Sequence, residues 1–346
     1  MTGPQLIMAE RAVNDPVIDR HRSGDVTACV DVVIAARNRA DTIERAVSSA
    51  LAQNGVRAVI VIDDASTDDT SERAMQCDPQ SGRVIVERLP TNLGPSAARN
   101  RALQLSTAPW LAILDGDDYF LPGRVEALMA KSDEADFVAD DIIHVHEDEV
   151  GDAPRNPLLF ADRHTPFTLD LEAFVLGNVR RHGVLRTELG FLKPLIRRSF
   201  IEEHRLRYDE TLRLGEDYAF YARALISGAR FLVIPTPGYA AVVRKDSLSA
   251  RHSRRDLERL RDSDFELLCN TRLSSHERRA LKDHFTSVDC RVQWLRVIEA
   301  VKSRDLTNFV PAFCRSPQVT LFLFERLRDE FVRRLRGVGA NQHKMT

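Results

Sequence analysis

From Cys29 onward the chain alternates two apolar patterns. CVDVVIAA is a continuous, largely β-branched run, and behind it Ile43, Ala46, Val47, Ala50 and Leu51 recur at helical spacing, with Asp41 placed as the N-cap. AVIVID, RVIVER and PWLAIL repeat the strand pattern, and PSAARNRALQLS supplies a helix after the NLGP turn. Strands that are apolar on both faces and alternate with helices predict an α/β fold with a mostly parallel sheet covered on both sides. Ligands of such sheets bind beyond the C-terminal ends of the strands. Polar residues gather there: Arg37 and Asn38 after the first strand, Asp63 and Asp64 after the second, and Asp115, Asp117 and Asp118 after the fourth.

The last group poses the chemical question. LAILDGDDYFLPGR ends an apolar strand in three carboxylates within four residues. Like charges that close repel and raise one another's pKa, so the spacing predicts either a solvated Asp-Gly turn or a cation site. ARNRAD follows the first strand where a dinucleotide fold would carry GxGxxG, and no GxxxxGK[ST] occurs. A phosphorylated ligand would then need a divalent cation and arginines such as Arg99, near the start of the third helix. The alternative for Arg99 and Asn100 is a solvated face shared with Arg101.

Further on the pattern loosens. Pro154, Pro157 and Pro166 predict an irregular stretch between Gly151 and Glu188, and LGFLKPLIRRSFI reads as a hairpin and helix. Lys193 and Arg197 there would meet a ligand's hydroxyls or phosphates, or else lie on a solvated face. Asp217 opens a helix that Tyr218, Ala222 and Leu225 would anchor to the core. Beyond Asp256 the helices are amphipathic and rich in Arg and Glu. The last, VTLFLFERLRDEFVRRLRGVG, gathers Phe324, Leu327, Phe331 and Leu335 near one face. It predicts a helix docked on its own domain or on a second copy in a homodimer, or one lying on anionic lipid. The expected organisation is a loose leader over 1–28, an α/β domain over 29–250 divided at 130, and a helical extension over 251–346.

Composition narrows the partners. Forty-nine basic residues against fifty-one acidic ones give a net charge of -2, which argues against a nucleic-acid partner. The five cysteines show neither paired nor zinc-type spacing, so no disulfide framework or structural metal is expected. The first residues lack a signal-type apolar core and no run is long enough to span a bilayer, so a cytoplasmic location is expected.

Four segments in register, VVIAARNRADTIERAVSSALAQ, VIVIDDASTDDT, NLGPSAARNRAL and LAILDGDDYFLPGRV, resemble the nucleotide-sugar half of family 2 glycosyltransferases of the GT-A fold. LRLGEDYAFYARALISGARFLVIPTPGYAAVVRKDSLS resembles the acceptor half of that family. GPSAARN, LDGDD, RLGEDYAFYARAL and RKDSLSARH together resemble the rhizobial group of β-glucosyltransferases that build succinoglycan-type exopolysaccharide.

The resemblance implies a role for each position. Asp64, beside Asp63, would accept from uracil N3 of a UDP-sugar, with Ala35 and Arg37 bordering the base. Asp115, Gly116 and Asp117 would form the DxD, the first carboxylate lying by the ribose and the second binding Mg²⁺ or Mn²⁺ across the diphosphate. Asp118 would stand behind them, Arg99 would contact the diphosphate, and Asp217 would be the general base. Arg244, Ser247, Ser249 and His252 would form a flap, with His252 as a third metal ligand.

The activity so implied is inverting transfer of glucose from UDP-glucose. The product would be a β-linkage, β-1,6 in particular, on an undecaprenyl-diphosphate oligosaccharide at the inner face of the cytoplasmic membrane. Two departures touch the donor side: Ala35 and Ala36 stand for the more usual Pro-Thr or Pro-Cys, and Ala65 for the glycine of DDGS. Two other classes compete. A haloacid-dehalogenase phosphohydrolase would use Asp115 as nucleophile, but Tyr119 stands where that motif has Thr or Val, and the motif follows three strands instead of opening the domain. A non-catalytic sugar-nucleotide-binding protein would keep the fold and lose the base or the metal site.

Overall fold

The computed structural model describes residues 29–147, 159–160, 163–179, 189–243, 253–304, 307 and 309–335. The leader and the proposed flap, with Arg244, Ser247, Ser249 and His252, lie outside the described residues. The first four apolar runs become β1 (Val30–Ala36), β2 (Val56–Asp63), β3 (Val84–Arg88) and β4 (Trp110–Asp115). Between them run α1 (Ile43–Leu51), α2 (Thr70–Gln76) and α3 (Pro95–Leu105). β1 pairs in parallel with both β2 and β4, and β2 with β3. Val32, Val33, Ile34, Val59 to Ile62 and Leu111 to Leu114 are buried on both faces of this sheet, as continuous apolar strands require.

The second half is mixed rather than parallel. β5 (Tyr119–Phe120), α4 (Arg124–Met129) and β6 (Phe137–His146) follow the carboxylate loop. β7 (Phe167–Thr168), α5 (Leu171–Gly177), β8 (Leu195–Arg197), α6 (Arg198–Glu203), α7 (Glu216–Ile226) and β9 (Phe231–Val243) complete the domain. The sheet order is β3-β2-β1-β4-β8-β6-β9-β5, with β7 on β9. β8 is antiparallel to both β4 and β6, so it joins the two halves.

Three local expectations are corrected. The first helix takes Thr42, not Asp41, as its N-cap residue, and the Thr42 hydroxyl donates instead to the Gly116 carbonyl at 2.8 Å. LGFLKPLIRRSFI is no hairpin: a 3₁₀ turn (Leu189–Phe191) leads into the single strand β8 and then α6. The stretch taken as irregular contains α5, capped by the Asp170 carboxylate accepting from the Ala173 amide at 2.7 Å. Prolines on the N-terminal side masked that helix in the sequence.

The helical extension is α8 (Arg254–Leu268), α9 (Ser275–Ser303), α10 (Phe309–Phe313) and α11 (Pro317–Leu335). Capping boxes open α8 at Ser253 and Asp256, and α9 at Ser274 and Glu277. Leu257, Leu260, Leu267, Leu281, Val288 and Val292 share one buried core with Phe137, Phe174, Tyr218 and Phe220 of the sheet domain. α10 and α11 instead pack on the far part of α9, closing a second small core in which Val297 of α9, Ala312, Val319 and Leu323 are buried.

Asp31 is a carboxylate buried near the start of β1. It accepts from Arg57 Nε at 2.9 Å, the Ser106 hydroxyl at 2.6 Å and the amides of Thr107 and Ala108 at 3.2 Å each, fastening β1 to β2 and to the turn before β4. Burial alone would raise its pKa, but the bonds from Arg57, Ser106 and the Ala108 amide outweigh it and hold the group below the ordinary carboxylate value. A carboxylate more acidic when folded stabilises the fold above its unfolded pKa, and that stability is lost as pH falls through the folded value.

Asp31→Asn, which leaves the amide and hydroxyl donors mismatched, is expected to cost about 2 kcal/mol or more in urea unfolding at pH 7. The gap from wild type should narrow as the pH is taken below 3.8. Ala65 holds φ +55°, the left-handed region that glycine enters without a Cβ clash. Ala65→Gly should therefore raise stability by about 1 kcal/mol, read as a higher urea midpoint at unchanged slope.

Candidate functional site

The ends of β1, β2 and β4 and the starts of α3 and α7 converge on one polar cluster. Asp115 is the last residue of β4 and sits beside Ala35 in the β1 pairing. Arg99 Nη2 donates to Asp115 Oδ1 at 2.7 Å, and Lys193 Nζ lies 3.0 Å from Oδ2. The same two cations reach Asp217 on the first turn of α7: Lys193 Nζ donates to Oδ2 at 2.6 Å, and Arg99 Nη1 lies 3.1 Å from Oδ1. Arg99 Nη1 also donates to Glu216 Oε1 at 2.9 Å.

Side-chain exposure is 4% for Arg99, 5% for Lys193 and 9% for Asp217, but 31% for Asp115, so the cluster opens to solvent on the Asp115 side. Burial opposes charge on Arg99, Asp115 and Lys193, and their pairing overrides it. Asp115 is held well below the usual carboxylate range by Lys193 and Arg99, and Lys193 is raised by Asp115 and Asp217.

The three crowded carboxylates thus meet different fates. Asp118 is buried, accepting from the Tyr239 hydroxyl at 2.7 Å and the Val242 amide at 2.8 Å. Burial first, and then the charges of Asp115 and Asp117, push its pKa up to about 8. The Tyr239 oxygen also accepts from the Asp115 amide at 3.1 Å, so β9 holds both ends of the loop. Asp117 is partly exposed at 23% and pairs with Arg39 Nη2 at 3.1 Å. Gly116 between them packs so close to β1 that a Cβ would lie 3.3 Å from the Ala36 Cβ.

The other expected donor-side residues are more involved in shaping the loops than the sequence suggested. Asp63 is buried and accepts from the Ser66 amide at 2.8 Å and from the Ser71 hydroxyl. Asp64 accepts from the amides of Leu93 at 2.7 Å and Gly94 at 2.8 Å, clamping the loop before α3. Each oxygen keeps a further lone pair for a ligand. Arg37 is exposed at the rim. The solvated-face reading is corrected for Arg99 and Asn100, which are 3% and 4% exposed; Asn100 donates to the Tyr208 carbonyl at 2.9 Å. Only Arg101 faces outward, paired with Glu87 at 2.6 Å.

Lys193 is likewise neither solvated nor peripheral, and Arg197 is tied to the Ala135 carbonyl at 2.9 Å and stacked 4.5 Å over Trp110. Arg124, from the LPGR end of the loop, donates to the Lys193 carbonyl at 2.5 Å and to Asp140 at 2.7 and 2.8 Å, fixing the lysine's backbone. The sequence signal for Lys193 was faint, since its partners lie at residues 115 and 217, far along the chain.

Among the described residues no donor is aligned on the buried Asp217 Oδ1, although Arg99 Nη1 lies 3.1 Å away, and the Tyr221 hydroxyl and Arg99 Nε are buried without partners as well. The Arg99 guanidinium lies 5.4 Å over the Tyr208 ring. Behind this, the extension grips α7. Gly215 turns at φ +71° under Leu260, the Tyr218 hydroxyl donates to Asp264 at 3.0 Å, and Asp264 meets His284 Nδ1 at 2.7 Å.

Among the described residues no group of three or more His, Cys, Asp or Glu side chains could hold a metal by itself. The available oxygen donors are Asp117 and the partly exposed Asp115, both of whose oxygens already meet cations. Such a set suits a hard divalent cation that takes most of its ligands from a donor's phosphates and from water.

Comparison with known proteins agrees with this layout. Residues 31–202 match the glycosyl transferase family 2 domain. The chain is 49% identical over 255 residues to the succinoglycan biosynthesis protein ExoU of Rhizobium meliloti (strain 1021), covering 74% of each chain. A shorter match, 37% over 97 residues, covers 28% of this chain and 38% of the Escherichia coli protein WfaP, a UDP-Glc:α-D-GlcNAc-diphosphoundecaprenol β-1,3-glucosyltransferase. The S. aureus TarS 1-349 structure in complex with UDP-GlcNAc superposes with a TM-score of 0.60 at 19% identity, covering 81% of this chain and 89% of that one, a likeness of fold. With the strand-end carboxylates, the α7 carboxylate and these similarities together, the chain belongs to glycosyl transferase family 2.

Proposed function

We propose that this transferase moves glucose from UDP-glucose, with inversion to a β-linkage, onto a lipid-linked oligosaccharide during assembly of a succinoglycan-type exopolysaccharide. One observation carries the reading: Arg99 and Lys193 bind Asp115 at the open donor edge and Asp217 behind it into one cluster. The likeness to ExoU, a succinoglycan biosynthesis protein, supports the pathway, and the shorter likeness to WfaP, a UDP-Glc:α-D-GlcNAc-diphosphoundecaprenol β-1,3-glucosyltransferase, supports the donor and a lipid-diphosphate acceptor. A β-1,6 linkage is the specific product proposed.

Asp117, with Asp115 beside it, would hold Mg²⁺ or Mn²⁺, which neutralises charge on the departing diphosphate. Asp64 would meet the base from the clamped loop, between Asp63 below and Ala35 and Arg37 at the rim, and Arg39 and Arg99 would place positive charge beside the diphosphate. Asp217 Oδ1, the oxygen lacking an aligned donor, would take the proton of the attacking hydroxyl while Lys193 holds Oδ2. A single base on the face opposite the leaving group gives inversion. Asp217 lies at the N-terminus of α7, where the helix dipole favours a carboxylate. The phosphohydrolase reading is set aside because the chain belongs to glycosyl transferase family 2.

Calorimetric titration with UDP, with and without Mn²⁺, tests the donor side. UDP should bind at least tenfold more tightly with the metal, and Asp117→Ala should erase that dependence; equal binding in both conditions would defeat the metal role. Asp217→Asn should lower kcat by about a hundred- to ten-thousand-fold with little change in donor KM. Lys193→Met leaves Asp115 and Asp217 short of a buried cation, and should lose activity together with about 3 kcal/mol of stability in urea unfolding.

A further inference from the structure

The last helix reconciles the two roles its sequence suggested. One face of α11 is docked: Val319 and Leu323 are buried with Cys290, Val297 and Ala312, and Phe322 and Leu327 pack against them. The opposite face is apolar too and uncovered. Leu321, Phe324 and Phe331 are 63%, 59% and 63% exposed. With Pro317 and Arg328 they follow a spacing of four, three, four and three residues, which lines them along one side of a helix. Phe313 of α10 extends the stripe, its ring 5.4 Å from that of Phe324. A shallow hollow between the two helices is lined by Phe313, Arg315, Pro317, Leu321 and Phe324 among others.

A helix that is apolar on both sides needs a second apolar environment. Charge and area select it. Arg328, 70% exposed and 3.1 Å from the Asp329 carboxylate, is the one charge within the stripe, and Arg315, 3.7 Å from Asp289, borders the hollow. By helical spacing Glu325 and Asp329 flank the stripe on one side, and Glu330 falls toward the docked face, where Arg333 and Arg334 engage it. Three large side chains about 60% exposed offer roughly 300–400 Å², well short of the ~800 Å² per partner of a stable protein interface. A narrow row of Phe and Leu carrying an arginine suits insertion at the boundary of acyl chains and anionic headgroups, where apolar burial and charge attraction add. Among the described residues no helix is long and apolar enough to cross a membrane, so the contact would lie in the interface plane.

We propose that the Leu321/Phe324/Phe331 face of α11, with Arg328 within it, docks the protein on an anionic lipid surface. The proposal does not depend on the donor or acceptor assigned above, since lipid binding is read without either.

The test is sedimentation of the full chain with vesicles of neutral phosphatidylcholine or of phosphatidylcholine with 30% phosphatidylglycerol. The protein should bind the anionic vesicles at least tenfold more strongly than the neutral ones. Phe324→Ser/Phe331→Ser should lose at least tenfold of that binding at an unchanged thermal midpoint, because both rings are largely exposed. Arg328→Glu should remove the preference for anionic lipid. Equal binding by wild type and the double-serine variant would overturn the proposal. So would a wild type that is dimeric by sedimentation velocity, becomes monomeric on the double substitution and ignores vesicles, which would assign the stripe to a second copy of the chain.

Discussion

Two cations, Arg99 and Lys193, are sealed from water and can stay charged there only because carboxylates from distant parts of the chain meet them. A buried ion without its partner is penalised by several kcal/mol. This constrains the architecture: α3 must deliver Arg99, β4 must end at Asp115, the segment before β8 must deliver Lys193, and α7 must begin at Asp217. β8, antiparallel to strands of both halves, is the element that brings the lysine in. Asp115 and Asp217 are therefore parts of one electrostatic unit, and a change at either carboxylate is felt at the other through a shared cation.

The parallel half was legible because its strands are continuous apolar runs and its helices carry clean periodicity. The mixed half was not, for a physical reason: β8 is three residues long and its burial comes from neighbours far along the chain, so no local period marks it. α5 was hidden by nearby prolines although Asp170 caps it in an ordinary way. At the site, the sequence marks the carboxylates and offers Arg99 and Lys193 as candidates, but not which carboxylate each meets. Arg39 carries no sequence signal, and only the fold brings it to Asp117 and Lys193 to Asp115 and Asp217. Arg99 was noticed, but whether it faced solvent or site could be decided only by the packing of α3.

The crowding of Asp115, Asp117 and Asp118 also has a fuller explanation than a metal alone. One carboxylate is balanced by two buried cations, one meets a surface arginine, and one is buried under a tyrosine hydroxyl and a backbone amide with its pKa raised. Repulsion is relieved by giving the three groups different surroundings.

The grip of the extension on α7 has a further consequence. Leu260 lies over the Gly215 turn, and Tyr218, Asp264 and His284 form a buried polar chain from the site helix into α8 and α9. Helices that share a core and a hydrogen-bond chain open together rather than one after another. The region that reads in sequence as an appendage thus shares its core with the first turn of α7, and α9 runs on from that core into the smaller one it builds with α10 and α11.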